Sequence, residues 1–581
     1  MCGILGFWHK NQLVDRKVFE KALISLFHRG PDGRGIFIDT ENNLALGHVR
    51  LSIIDLSEAA SQPMFNESKT LVIVYNGEIY NYQAIRKELQ KKGYNFRSHS
   101  DTEVILKGYE AWGEDVFEKL NGMYALAIWD KSQRKLILAR DPFGIKPLYY
   151  YFDGKTLIFS SEVKIFRFLS EYFPYMENPD WKIYFLTFGF IPNPYTTVKG
   201  VYALKKGHTL ILYLDKNRIE AKKFFEITFS DKERDLEKLR STFISAVKRH
   251  LIADVPVGVF LSGGIDSSLV ALLACKLTTD CHTISIIFKE KNFSEEKYQR
   301  LVLQKIVSSH HERLVTREEF EEHLDRVLKF MDQPTIDGIN TYFVSLKAKE
   351  IGLKTVMSGL GGDELFYGYP SFRIVDKLVK FKYFHTLSTL ARFLPSHRWK
   401  KASFLRYFSP VYLYLFFRGL FIPEEVGKIL QVSPKYVWEK IFEVDIKLDK
   451  DLEKYPRKYL SYLEMEYYLT GQLLKDSDFM GMANSIEIRV PFLDKELVEL
   501  AFKFDDKVKF NPEQPKYLIT KTFEDLLPQE IVFRKKQGFT FPFKIWLQEM
   551  GEVKNYVKRY GWSRGWGMYL FKNWEGICYE K

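Results

Sequence analysis

The chain has 581 residues, 46% hydrophobic and 28% charged, with 86 Lys and Arg against 74 Asp and Glu and a net charge of +12. The length exceeds one hydrophobic core and predicts several domain-sized units, while the composition is ordinary for a globular protein. No apolar run approaches the ~18 residues of a membrane span, no charged-then-apolar leader precedes Cys2, and without zinc-ligand spacing or an RNP-type motif the basic balance does not point to nucleic acid.

The chain opens MCGILGF. A small residue at position two permits removal of the initiator methionine, which leaves Cys2 with a thiol and a free α-amine on one carbon. That amine, with a pKa near ~8, is able to take the thiol proton directly or through a water. The alternative is a small apolar residue starting a strand that Ile4, Leu5 and Phe7 continue. Further on, LVIVYNGEIY, MYALAIWD, KLILARD and TLIFSSE read as short strands bounded by Gly, Asp and Asn, and KKGHTLILYL as the last of them. Asp215 to Asp235 is charged and weakly patterned, as a linker would be.

Beyond it, strands alternate with helices: VPVGVFL, then DSSLVALLACKL, CHTISIIF, EEKYQRLVLQKIVSSH and KTVMSGL. This alternation predicts a parallel sheet covered by helices on both faces. From about Asp363 the chain reads as mostly helical. The expected units are residues 2–213 and 233–560. The four cysteines (Cys2, Cys275, Cys281, Cys578) show no metal-type pairing and are too few for a disulfide framework, so a reducing, cytoplasmic setting is expected.

Two glycine turns carry chemistry. In GVFLSGGIDSS (Gly258 to Ser268) a strand ends at Leu261 and a helix starts near Asp266. Gly263 and Gly264 let the backbone approach a phosphate, which the hydroxyls of Ser262, Ser267 and Ser268 and the helix N-terminal amides would bind. The Gly-Lys-Ser/Thr ending of a Walker loop is absent. In SGLGGDELFYGY (Ser358 to Tyr369) another strand ends in glycines, followed at once by Asp363 and Glu364. Adjacent carboxylates there suit Mg²⁺ on a triphosphate, or a helix N-terminus, or both.

Cys2 with GILGF, RGPD (Arg29 to Asp32), RLSIID (Arg50 to Asp55), NGEIYN (Asn76 to Asn81) and SDTE (Ser100 to Glu103) resembles a class II glutamine amidotransferase domain. Joined to LSGGIDSS, GGDELFYGY, RVPFLD (Arg489 to Asp494) and RKKQGF (Arg534 to Phe539), the chain resembles glutamine-hydrolysing asparagine synthetases over nearly its whole length. The resemblance implies an α+β N-terminal-nucleophile sandwich of two antiparallel sheets, followed by an α/β parallel-sheet ATP-pyrophosphatase domain with a helical C-terminal part. It implies Cys2 as nucleophile and Asn76 with the Gly77 amide as oxyanion hole. Arg50 would grip the glutamine α-carboxylate, Asp101 its α-ammonium, and Leu51, Ser52, Ile53, Ile54 and Glu78 would complete that site.

For ATP the resemblance implies backbone at Leu261 and Ile286 against adenine, contacts from Ser358 and Gly359, and Asp266 and Asp363 on Mg²⁺ and pyrophosphate. Lys516, in QPKYLITK, would neutralise charge at the α-phosphate, and ammonia would cross between the sites through a tunnel. The implied reaction uses glutamine and ATP to amidate a carboxylic acid, aspartate first. A uronic acid of a surface polysaccharide is the rival acceptor, and a non-catalytic scaffold is the reading from another class. A homodimer is among the expected partners.

Two positions depart from the family pattern where the acceptor would react. Leu360 stands in SGLG where well-studied family members have SGEG, and a family arginine is missing near Asp337 in DQPTIDGIN. Residues 377–423 contain nine Lys or Arg and no acidic residue, interleaved with aromatics such as Phe381, Tyr383, Phe384 and the run VYLYLFFRGLF. Two readings stay open there: a helical subdomain with an aromatic core, or a patch meeting an anionic membrane surface.

Overall fold

The computed structural model describes residues 2–380, 388, 391–393, 396–448, 451–535 and 541–579. Strands β1 (Gly3–His9), β2 (Gly33–Asp39), β3 (Leu44–Arg50), β4 (Met64–Phe65), β5 (Leu71–Ile79) and β6 (Gly122–Asp130) come first. They are followed by β7 (Lys135–Arg140), β8 (Tyr149–Phe152), β9 (Thr156–Ser160), β10 (Val201–Ala203), β11 (His208–Tyr213) and β12 (Arg218–Lys223). They form two antiparallel six-stranded sheets, ordered β10-β8-β9-β1-β3-β2 and β12-β11-β7-β6-β5-β4. The stretch read as a linker therefore contains a strand. β12 is the polar RIEAKK, and it pairs with β11 at the edge of its sheet.

Strand alternation explains the layering. Val72 and Val74 on β5 face Ile4 and Trp8 of β1 in the core between the sheets. Ile73 and Tyr75 point the other way, onto Val104 and Ile105 of the helix Asp101–Trp112. On the far side, Leu5 and Phe7 of β1 pack on Phe19 and Leu23 of the helix Arg16–Ile24. The result is helix, sheet, sheet, helix, with β1 and β5 buried on both faces and correspondingly apolar throughout.

The second unit holds β13 (Val257–Phe260), β14 (His282–Ile287), β15 (Ser309–Leu314), β16 (Thr355–Met357) and β17 (Glu487–Arg489). Their order is β15-β14-β13-β16-β17, and every pairing is parallel. Because β13 and β16 are neighbours, the glycine turns after them lie side by side at the carboxyl edge, where such sheets bind ligands. Cys275 and Cys281, expected to be reduced, are bonded to each other and tie the end of the helix Ile265–Leu277 to the start of β14. The two cysteines are six positions apart in the sequence and their Cα atoms lie 5.2 Å apart, an ordinary disulfide span.

After β16 the chain is mainly helical, as expected. The aromatic run at 410–418 forms a helix whose Val411, Tyr412, Leu413, Tyr414 and Leu415 are buried in the largest core cluster, as is Phe404. Phe381, Lys382, Tyr383 and Phe384 of the basic segment lie outside the described residues, as do Lys536 to Phe539 of RKKQGF. Among the described residues no helix is long and apolar enough to cross a membrane.

Candidate active sites

The first site forms where β1 starts beside the end of β5. The Cys2 N–H donates to Asn76 Oδ1 at 2.9 Å, and the thiol sulfur lies 4.0 Å from the Leu51 carbonyl oxygen. Burial pushes the Cys2 thiol up, so it rests protonated until a base takes the proton. Asn76 is fully buried, yet its Nδ2 has no hydrogen-bond partner among the described residues. An uncommitted donor beside a thiol is what a developing oxyanion requires.

A cavity of about 30 Å³ lies against the thiol, lined by Cys2, Arg50, Leu51, Ile53, Ile54, Gly77, Glu78 and Asp101. Arg50 is aimed by its loop: Nη1 donates to the Ser57 carbonyl at 2.8 Å and Nη2 to that of Asp55. Asp101, capped into the helix start by Ser100, accepts from Tyr75 Oη at 2.7 Å and from the Ile79 N–H at 2.9 Å. Burial outweighs those two donors and pushes its carboxyl up to about 6. A Cβ at Gly77 would stand 2.1 Å from the Met123 carbonyl oxygen of β6, so only glycine fits. Ser52 does not line the cavity; its N–H donates to Asp32.

The second site is a cavity of about 340 Å³ over the carboxyl ends of β13 and β16. Leu261, Ser262, Gly264, Asp266, Ser267, Ile286, Ser358, Gly359, Leu360, Asp363, Asp337 and Lys516 all line it. Gly263 does not; with φ +77° it turns the chain so that the loop clears Tyr298 and the Gln299 N–H. A Cβ at Gly359 would meet Asp266 Cβ at 2.8 Å, which shows how tightly the two glycine loops are apposed.

Lys516 is the centre of this site. It adopts φ +55°, an uncommon left-handed conformation for a side-chain-bearing residue. Its Nζ pairs with Asp266 Oδ2 and, at 2.7 Å, with Asp363 Oδ1. Burial pulls its ammonium down, but the two carboxylates outweigh burial and hold it above the ordinary lysine range. The neighbouring Glu364 accepts from Tyr369 Oη at 2.5 Å and is pushed up to about 7 by burial, then by the charge of Asp363. Glu295, Arg534, Asn340 and Tyr468 also line the cavity, and no glycine turn or acidic pair in the sequence points to them. Arg534 and Glu295 pair at 2.5 Å across 239 residues, and RKKQGF was the available signal for the first of them.

The helix Leu474–Met482 joins the two sites. Ser477 lines the larger cavity, Asp478 pairs with Arg29 at 2.7 Å, and Met482 packs on Leu51 and Ile53. Nearby, the buried Arg489 of β17 pairs with Glu487 at 2.7 Å and with Glu78 at 3.3 Å.

A nucleophile-type sandwich with a thiol at its start, fused to a parallel sheet with apposed glycine loops, defines a glutamine amidotransferase joined to a nucleotide-using ligase domain. Comparison with known families agrees: residues 1–225 match the family described as "Glutamine amidotransferase domain", and residues 238–564 the one described as "Asparagine synthase". The chain belongs to the glutamine-hydrolysing asparagine synthetase family. Asparagine synthetase 1 of Bacillus subtilis (strain 168) is 33% identical over 96% of this chain and 90% of its own length. Asparagine synthetase 3 of the same strain is 31% identical over 93% and 87%. Amidase chry2 of Gibberella zeae is 27% identical over 94% and 90%.

Proposed function

We propose that this enzyme forms an amide from a carboxylic acid, with glutamine as nitrogen donor and ATP as activator. Cys2, deprotonated by its own terminal amine once Met1 is removed, attacks the glutamine amide carbon. Arg50 and Asp101 orient the substrate, and Asn76 Nδ2 with the Gly77 N–H holds the oxyanion. Ammonia leaves as the thioester forms, and water then releases glutamate.

In the second cavity the acceptor carboxylate attacks the α-phosphate, pyrophosphate departs, and ammonia displaces AMP from the acyl-adenylate. Lys516 is the cation for charge developing on the phosphates. Among the described residues no three Asp, Glu, His or Cys side chains converge as a metal site. Asp266 and Asp363 alone suit Mg²⁺ shared with phosphate oxygens, where it would neutralise the departing pyrophosphate. The helix Leu474–Met482 supports a passage for ammonia between the sites, and a cytoplasmic location is part of this reading.

The observation that carries the proposal is Lys516 held between Asp266 and Asp363 in the same chain as the Cys2–Asn76 pair. L-Aspartate is the acceptor that family membership supports. A larger carboxylate is the second reading, favoured by the apolar Leu360 in the cavity wall. Pyrophosphate release that requires glutamine or ammonia, ATP and an added acid tests the proposal. Release independent of every acid would contradict it.

A further inference from the structure

A second cavity, of about 230 Å³, adjoins the nucleotide cavity, and Asp337, Asn340 and Tyr468 line both. Its walls are largely aromatic: Phe188 and Tyr414 stack at 6.1 Å, Phe543 and Trp562 lie 6.4 Å apart, and Phe541 and Tyr468 complete the set. Trp562 is 38% exposed, which puts one end of the cavity at the surface. The polar side chains are Asp337, Asn340, Gln472 and Arg418, besides the hydroxyls of Tyr414 and Tyr468. Gln472 comes from the π-helical stretch Glu464–Leu473, which also carries Tyr468. The Arg418 guanidinium lies 4.0 Å over Tyr369 and 4.1 Å over Tyr468, and pairs with Glu464 at 3.0 Å.

This lining does not suit aspartate. Beyond its reacting carboxyl, aspartate carries two carbons, an ammonium and a second carboxylate. Six aromatic rings give far more apolar wall than two carbons can cover, and Arg418 is paired with Glu464 through Nε, with its Nη2 left without a hydrogen-bond partner among the described residues. Aromatic walls with a small number of hydrogen-bonding groups suit a ring with apolar faces and hydroxylated edges. We infer that this cavity holds the body of the acceptor, a ring-bearing hydroxylated acid of the hexuronic type. Its carboxylate would sit where the two cavities meet, beside the amide of Asn340, facing the phosphates. The inference rests on the amidation reading above and names the substrate class of that site.

The full chain is assayed for ammonia- and ATP-dependent pyrophosphate release with D-galacturonate, D-glucuronate, phenylacetate and L-aspartate. The expected result is a kcat/KM for a uronate at least about tenfold above that for aspartate. Aspartate equal to or better than both uronates overturns the inference while leaving amidation intact, and phenylacetate as the best acid overturns the hydroxylated class. If no acid releases pyrophosphate, the amidation reading fails, and calorimetry with each uronate and a non-hydrolysable ATP analogue decides the cavity's occupant. Saturable uronate binding supports the inference, and its absence overturns it. Trp562→Ala, at an exposed position, is expected to raise the uronate KM or Kd about fivefold through the loss of one ring contact. An equal rise for aspartate would reduce Trp562 to a structural role and count against the cavity.

Discussion

Arg29 Nη2 donates to Asp478 Oδ2 at 2.7 Å across the boundary between the two units, while Nε of the same guanidinium donates to the Cys2 carbonyl at 3.1 Å. Both side chains are buried, and Nη1 is held by Glu162 at 3.0 Å. The backbone of the thiol residue is therefore tied through one side chain to the helix that lines the nucleotide cavity. Removing one partner of a buried pair leaves the other uncompensated, at a cost of about 3 kcal/mol. Asp478→Asn is expected to lower the urea midpoint and to reduce glutamine-dependent turnover more than ammonia-dependent turnover. An equal fall in both activities would mean that the pair serves stability alone.

Cys2→Ala is expected to abolish glutamine-dependent amide formation and to leave ammonia-dependent formation near the parent rate, since free ammonia bypasses the thiol. Loss of both activities would remove Cys2 from its assigned role. Active material should also lack Met1, because the base is the terminal amine. Intact-mass measurement of active protein that retains methionine would count against this.

The Asp101 carboxyl, raised to about 6 by burial, binds an α-ammonium only when ionised. A raised carboxyl is protonated below its pKa, so glutamine binding should weaken as pH falls through 6 and be pH-independent well above it. The glutaminase KM is expected to climb toward tenfold per unit below that point. Asp101→Asn should show a high KM without that inflection. A parent KM that stays flat from pH 7 to pH 5 would detach Asp101 from the ammonium.

What was legible in the sequence was local. Gly263 with its left-handed φ and the serines around it announce a strand-to-helix turn, and the alternation in LVIVYNGEIY announces β5. Edge strands were not legible: RIEAKK (β12) and SHHERL (β15) are polar because sheet edges are solvated, so they lack the β-branched signature. Contacts across the chain were also hidden. Arg29 and Asp478 lie 449 residues apart, and no spacing rule reaches that far. The run VYLYLFFRGLF left core and surface undecided, and only packing shows Tyr414 buried under Phe188.

Gly368 is the position that spacing alone least explains. A Cβ there would stand 1.9 Å from Asp363 Oδ1 and 2.5 Å from Lys516 Cε. Gly368→Ala must therefore push the carboxylate and the ammonium out of place. Acid-dependent pyrophosphate release is expected to fall at least about a hundredfold, the scale set by losing one charge-stabilising group. Glutamine hydrolysis should persist, since that site lies in the other unit. Normal pyrophosphate release from Gly368→Ala would show that the Lys516–Asp363 contact is dispensable.

Leu360 lines the nucleotide cavity beside Gly359 and Asp363, at the position where the resemblance read from the sequence implies a glutamate. A carboxylate at this position has an α-ammonium to recognise only when the acceptor is an amino acid. With a ring acid it meets hydroxyls at best, and it adds negative charge near the phosphates. Leu360→Glu is therefore expected to raise aspartate-dependent pyrophosphate release and to lower release with a uronate. If aspartate is the acceptor of the parent chain, the same substitution should slow its reaction, because a new buried carboxylate repels the triphosphate. The two outcomes have opposite sign in one assay with one variant. Equal rates for parent and variant with both acids would place residue 360 away from the acceptor altogether.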